Sequence, residues 1–236
     1  MKNKQQLIFE ITFKKQKAKQ MIDTKKIFEH DLKLLDENTK NIAGIDEVGR
    51  GPLAGPVVTA CVIMNYDEML DGVFDSKKVS KKNREKLYDL ILNKAKAISI
   101  SVRDQDVIDE INILNATKEC MKESVTKLVV KPDLLLVDAV KLNACEREMA
   151  IIKGDATSYA IACASIVAKV YRDRIMEDYA KIYPQYDFKN NVGYGTKKHI
   201  EAIKQFGITP IHRLSFLKNI LGEEECKRIH LERVAR

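Results

Sequence analysis

No stretch of the 236-residue sequence approaches the roughly 18 consecutive apolar residues of a membrane-spanning helix. The longest apolar tract, Ala160 to Ala168, is interrupted by Ser165. The amino end carries lysines but neither the apolar core nor the small-residue cleavage site of a secretory signal, so the cytoplasm is the expected compartment. Cysteine is scarce and unpatterned: Cys61, Cys120, Cys145, Cys163 and Cys226 form an odd set without a CxxC pair. Three of them sit in apolar contexts that suit buried thiols, which argues against a disulfide scaffold or a thiolate zinc site. The four histidines, His30, His199, His212 and His230, are too scattered for a zinc-ligand pattern. There is no Walker A loop and no GxGxxG fingerprint, so a nucleotide-cofactor enzyme is disfavoured. No internal repeat or low-complexity tract stands out.

What is present is a folded, basic composition. Forty-five per cent of the residues are hydrophobic, and 41 Lys and Arg against 34 Asp and Glu leave a formal charge of +7. That balance admits a nucleic-acid partner without establishing one, because solvated lysine-rich faces are common. Residues 1–20 hold six lysines and one glutamate, a local charge of +5 (6 − 1), interspersed with Ile8, Phe9, Ile11 and Phe13. Thr24 to about Glu37 mixes apolar and charged residues as an amphipathic helix does. The expected organisation is a basic amino-terminal appendage over 1–40 and a main domain over 41–236 that carries a helical tail.

From Ile42 the texture changes to short β-branched runs. Ile42–Ile45, Val57–Met64, Ala97–Val102, Leu134–Val137 and Met149–Ile152 read as strands. Helices are expected over 80–95 with Ser80 as cap, over 104–129 with an internal break, from about Ser158 to Tyr179, from Lys197 to Phe206 and from Ser215 onward. Alternating strands and helices indicate an α/β fold. Short turns between the first strands predict an antiparallel portion, hence a mixed central sheet.

Carboxylates interrupt the apolar strands at informative places. Asp46 follows Ile42–Ile45, Asp138 follows Leu134–Val137, and Asp155 follows Ile151 to Gly154. Open sheets bind ligands outside the carboxyl ends of their strands. Three aspartates brought together would repel one another unless a cation neutralised them, and oxygen donors suit Mg²⁺ or Mn²⁺. The competing reading makes Asp46 a turn former and Asp155 the cap of the helix after it. Glu47 is ambiguous, because strand neighbours face opposite ways unless the strand ends or bulges there. Gly49, Arg50 and Gly51 fit either a plain turn or a backbone that approaches phosphate. Asp75, Ser76, Lys77 and Lys78 fit a solvated helix approach or a phosphate contact. Tyr194, between Gly193 and Gly195, can stack on a sugar or base, or pin the tail to the core. For His199 a surface helix position is favoured over proton transfer. Asp173, flanked by Arg172 and Arg174, reads as a helix-surface salt bridge and is not counted as a ligand.

Together these segments resemble the bacterial ribonuclease HII family. The resemblance rests on GIDEVGRGPLAGPVVTACVI from Gly44, DSKKVS from Asp75, LLLVDAV from Leu134, KGDATSYAIACASIVAKVYRDRIM from Lys153 and GYGTKKH from Gly193, and it covers residues 42–216. It implies a ribonuclease H-like mixed five-stranded sheet flanked by helices, with further carboxyl-terminal helices. It also implies endonucleolytic cleavage of RNA in RNA–DNA hybrids and of single ribonucleotides in duplex DNA. Carried over residue by residue, it places Asp46, Glu47, Asp138 and Asp155 at a centre using Mn²⁺ or Mg²⁺, with two ions during catalysis. Gly49, Arg50, Gly51 and Tyr194 are then expected to read the 2′-hydroxyl and adjacent phosphate, with Ser76, Lys77 and Lys78 on the duplex backbone. Val48 stands where the family commonly has alanine, a change that removes no ligand. A monomer is expected, with no membrane partner.

Overall fold

A computed structural model describes residues 23–234; the basic stretch 1–20 lies outside the described residues. Five strands, β1 (Ile42–Val48), β2 (Val57–Met64), β3 (Ala95–Arg103), β4 (Leu134–Asp138) and β5 (Glu148–Ile151), form one sheet in the order β3-β2-β1-β4-β5. The β1–β4 and β4–β5 pairs are parallel. Adjacent β1 and β2 are joined only by residues 49–56, too short for the crossover a parallel pair requires. The sheet is therefore mixed, with the antiparallel portion expected from the short first turns.

The helices are α1 (described over residues 23–32), α2 (Lys81–Lys94), α3 (Gln105–Thr126), α4 (Tyr159–Ile182), α5 (Phe188–Asn191), α6 (Lys197–Phe206), α7 (Lys218–Leu221) and α8 (Glu223–Val234). Ser80 caps α2 by accepting from the Asn83 amide. The break expected in α3 falls at Asn112, whose backbone leaves the helical region at φ 65°. Its Oδ1 accepts the amides of Leu114 and Asn115, so one residue ends the first segment and caps the second. The region from Ser215 is not one helix, because Gly222 at φ 87° separates α7 from α8.

The chain divides into two compact units. Among the described residues, the first comprises 23–46, Ala60–Ser99 and Val125–Val167. Its core includes Ile42, Leu134 and Leu136 from the sheet against Ala160 and Ile161 of α4. Helix and strand meet at Gly44, where a Cβ would lie 2.1 Å from the Ala160 carbonyl carbon, so only glycine permits this approach. Residues 23–40 are laid into the same core. Phe28 packs edge-on against Tyr159, with centroids 5.0 Å apart, and Asp31 is fully buried at the amino end of α4. The Asp31 carboxylate accepts from Ser158 Oγ (2.9 Å), the Ala160 amide (2.8 Å) and Tyr66 Oη (3.0 Å), where an anion also complements the helix dipole. Removing it leaves these buried donors without an acceptor. Asp31→Ala is expected to lower the unfolding free energy by about 3 kcal/mol in urea titrations; a change below about 1 kcal/mol would contradict this role.

Among the described residues, the second unit comprises Glu47–Thr59, Ile100–Ser124 and 168–234. One of its cores joins Ala54, Met176, Tyr186, Phe188, Ile203 and Leu217. His199, expected on a helix surface, is instead fully buried beside His212. The hydrogen bonds fix both tautomers. The Thr209 amide donates to His212 Nδ1 at 2.9 Å, so His212 carries its proton on Nε2 and donates to His199 Nε2 at 3.0 Å. His199 then donates from Nδ1 to the Tyr194 carbonyl at 2.9 Å. Only two neutral rings satisfy this relay. Burial, and then His199, push His212 down to about 3, and burial lowers His199 as well. The remaining charge at His212 is Arg233, which donates to its carbonyl.

The sign of the pH dependence follows. The unfolded imidazole takes up a proton near pH 6.5 whereas the folded one resists until about pH 3, so the relay's stabilisation is intact above 6.5 and erodes as pH falls. Urea unfolding at pH 7 and pH 5 is expected to show a loss that is smaller in His212→Gln by about 2 kcal/mol. An equal loss in both proteins would contradict the assignment.

Candidate active site

In the first unit the parallel register aligns Ile45 with Val137. The next residues, Asp46 and Asp138, therefore stand abreast near the carboxyl ends of adjacent strands, Asp46 two residues before β1 ends at Val48 and Asp138 as the last residue of β4, with Asp46 buried and Asp138 half-buried. Ala139 takes a left-handed conformation (φ 54°) and donates to the Ile151 carbonyl, which ends β4 at Asp138. Asp138 Oδ1 accepts the Gly154 amide at 2.7 Å. A Cβ on Gly154 would lie 2.6 Å from Ile161 Cδ1 and 3.1 Å from that oxygen, so a side chain there would make Ile161 or the carboxylate shift.

Asp155 follows in a single 3₁₀ turn, Gly154–Ala156. Burial holds its carboxyl above the usual range, and Asp75 and Asp138 push it further, while Lys77 opposes them. The structure thus gathers Asp138, Asp155 and the Asp75–Lys78 turn into one electrostatic neighbourhood. Asp75, which the sequence offers only as the head of a cluster fitting a helix approach or a phosphate contact, adds its charge to this neighbourhood. It accepts the Lys77 amide at 3.0 Å and pairs with Lys78 Nζ at 3.1 Å. Ser76 differs from the expected phosphate contact: it is buried, with its hydroxyl 2.9 Å from Ser165 Oγ and its carbonyl accepting from Arg84. Lys77 and Lys78 are exposed.

A group of carboxylates is the donor chemistry a hard divalent cation prefers, and neutralisation would relieve the repulsion at Asp155. Among the described residues, no three His, Cys, Asp or Glu side chains already form a metal-holding group. Such sites are commonly completed by waters and substrate phosphate.

In the second unit Glu47 follows Asp46 in the chain, and its Oε1 accepts from Arg50 Nη1 at 3.3 Å. The segment 49–56 is held by two fully buried arginines, of which Arg213 holds the Gly49–Gly51 loop. Arg213 donates from Nη2 to the Gly49 carbonyl (2.6 Å), from Nη1 to that of Arg50 (3.0 Å) and from Nε to that of Gly55 (2.9 Å). Arg172 donates to the carbonyls of Pro56 (2.9 Å), Ala54 (3.2 Å) and Val192 (2.9 Å). Gly49 has φ +94°, and a Cβ there would lie 2.2 Å from Arg172 Nε. Exposed Tyr194 lies beside the loop, its Cε1 3.5 Å from where a Gly51 Cβ would stand. Burial lowers both guanidinium groups, to about 10 for Arg172 and about 9 for Arg213, yet both remain cations at neutral pH. Neither arginine was identified as functional from the sequence, since a buried arginine looks like a surface one there. Asp173 keeps the expected ion pair within its helix, 2.5 Å to Lys169 Nζ, but is buried rather than at the surface.

A family model described as ribonuclease HII matches residues 43–219. The chain is 57% identical to the ribonuclease HII of Enterococcus faecalis over 175 residues, 74% of this chain and 69% of that protein. It is 51% identical to that of Caldicellulosiruptor bescii over 83% of this chain and 95% of the relative. Among solved structures, ribonuclease H2 of Pyrococcus horikoshii superposes with a TM-score of 0.66 at 27% identity, over 80% of this chain and all of that one. The chain therefore belongs to the ribonuclease HII family, the type 2 ribonucleases H, which are endonucleases for the RNA of RNA–DNA hybrids.

Proposed function

We propose that the protein is a divalent-metal-dependent endonuclease that hydrolyses the phosphodiester on the 5′ side of a ribonucleotide. Its substrates are RNA–DNA hybrids and duplex DNA containing a single ribonucleotide, and its compartment is the cytoplasm. The observation that carries this reading is the register that sets Asp46 and Asp138 abreast near the carboxyl ends of neighbouring parallel strands, in a chain of this family. Asp46, Glu47, Asp138 and Asp155 hold the cations, two Mg²⁺ or Mn²⁺ during turnover. When bound, they lower the pKa of the attacking water and neutralise charge on the departing oxygen.

The chain's own groups orient the rest. Gly154 fixes one Asp138 oxygen, leaving the other for a ligand. The Gly49–Gly51 backbone, Arg50 and Tyr194 read the 2′-hydroxyl and the adjacent phosphate, the local features that separate a ribonucleotide from a deoxyribonucleotide. Lys77 and Lys78 contact the duplex backbone, and the buried Ser76 braces the turn presenting them. Water adds to phosphorus, the bond to the 3′ oxygen of the preceding nucleotide breaks, and the products carry a 3′-hydroxyl and a 5′-phosphate.

With Mg²⁺ or Mn²⁺, a DNA duplex containing one ribonucleotide is expected to be cut on its 5′ side and an all-DNA duplex left intact. A chelator abolishes the cut, and Asp138→Asn slows it by at least about a hundredfold. Binding without cleavage under both metals, or equal cutting of the all-DNA duplex, would overturn this reading. Lys77→Ala is expected to weaken all duplexes alike and to reduce the slope of log affinity against log salt by about 1 in fluorescence titrations.

A further inference from the structure

The two buried arginines of the second unit have an unusual set of partners. Both are fully buried, and their hydrogen bonds run to main-chain carbonyls of the 49–56 segment and of Val192. Burying a cation is costly, and the outlay is hard to explain as packing, which an apolar side chain would supply at less cost. What the fork adds is direction. A peptide bond is planar and trans, so its N–H points away from its C=O. With the Gly49 and Arg50 carbonyls drawn inward onto Arg213, the amides of Arg50 and Gly51 are aimed outward, on residues that are exposed. Arg172 ties the far end of the same segment to the carbonyl of Val192, two residues before Tyr194.

We propose that Arg213, assisted by Arg172, is a positioning residue for ribonucleotide discrimination: it sets the Arg50 and Gly51 amides as a fixed pair of donors beside Tyr194. The inference rests on the reading of the Gly49–Gly51 loop given above. A lysine cannot reproduce the fork, since one ammonium cannot serve the Gly49, Arg50 and Gly55 carbonyls in a single geometry. Arg213→Lys therefore keeps the charge and loses the aim.

The test measures the affinity of the intact protein for a single-ribonucleotide duplex and for the matching all-DNA duplex, with a chelator present, alongside urea unfolding. Arg213→Lys is expected to unfold cooperatively and to bind the all-DNA duplex as the parent does. Its preference for the ribonucleotide should fall by about tenfold, the equivalent of one well-made hydrogen bond. A merely structural role would move both affinities together or neither. If Arg213→Lys does not fold, Arg172→Lys is measured in its place, and failure of both to fold overturns the inference by making the pair general core elements. Gly51→Ala separates the two readings. If its preference is unchanged, the loop does not read the ribonucleotide and both readings fall. If Gly51→Ala loses the preference while a folded lysine variant keeps it, only the positioning role is overturned.

Discussion

The first unit depends on a backbone-to-backbone approach. Gly44 lets β1 lie against the first turn of α4, where a Cβ would fall 2.1 Å from the Ala160 carbonyl carbon. The same strand pairs in parallel with β4, so its position determines where both strand ends fall. The separation of Asp46 from Asp138 is thus set by main-chain geometry. Helix α4 is also fixed by the buried Asp31 carboxylate, which occupies the helix amino end and brings residues 23–40 into the same core. Side chains arranged this way need little reorganisation to receive charge.

Charge of opposite sign is handled differently in each unit. In the first, burial and then the neighbouring Asp75 and Asp138 raise the proton affinity of Asp155, with Lys77 as partial relief. In the second, two guanidinium groups are enclosed by carbonyl oxygens, and two neutral histidines complete a relay to the Tyr194 carbonyl. The first arrangement favours a cation from outside. The second fixes a loop from within and leaves positive charge behind its exposed face, which suits a polyanion.

Much of the architecture was legible because local rules agree with the final structure. The apolar run before Asp138 became a strand ending at Asp138, the run before Asp46 became a strand that continues to Val48, Ser80 became a cap, and the interruption in the third helix fell at an asparagine able to cap its own successor. What was not legible depends on partners far away in the chain. Arg213 meets the Gly49 carbonyl across 164 positions and Arg172 meets Pro56 across 116, with nothing local to distinguish them from surface arginines. His199 sits in an amphipathic helix but finds His212 on the buried side, and Ser76 turns from its lysine neighbours toward Ser165. The placement of Asp138 at a strand end could be read from the sequence, whereas the continuation of β1 past Asp46 to Val48 and the side-by-side register required the pairing itself.

The central claim is that the acids at the strand ends, and not the buried acid on α4, hold the catalytic cation. Titration of the protein with Mn²⁺, followed by the electron paramagnetic resonance signal of the free ion, tests it directly. Asp46→Asn and Asp138→Asn are each expected to weaken Mn²⁺ binding by about tenfold or more, and a folded Asp173→Asn to bind as the parent does. Loss of Mn²⁺ binding in Asp173→Asn, with the two strand-end variants unaffected, would contradict the account.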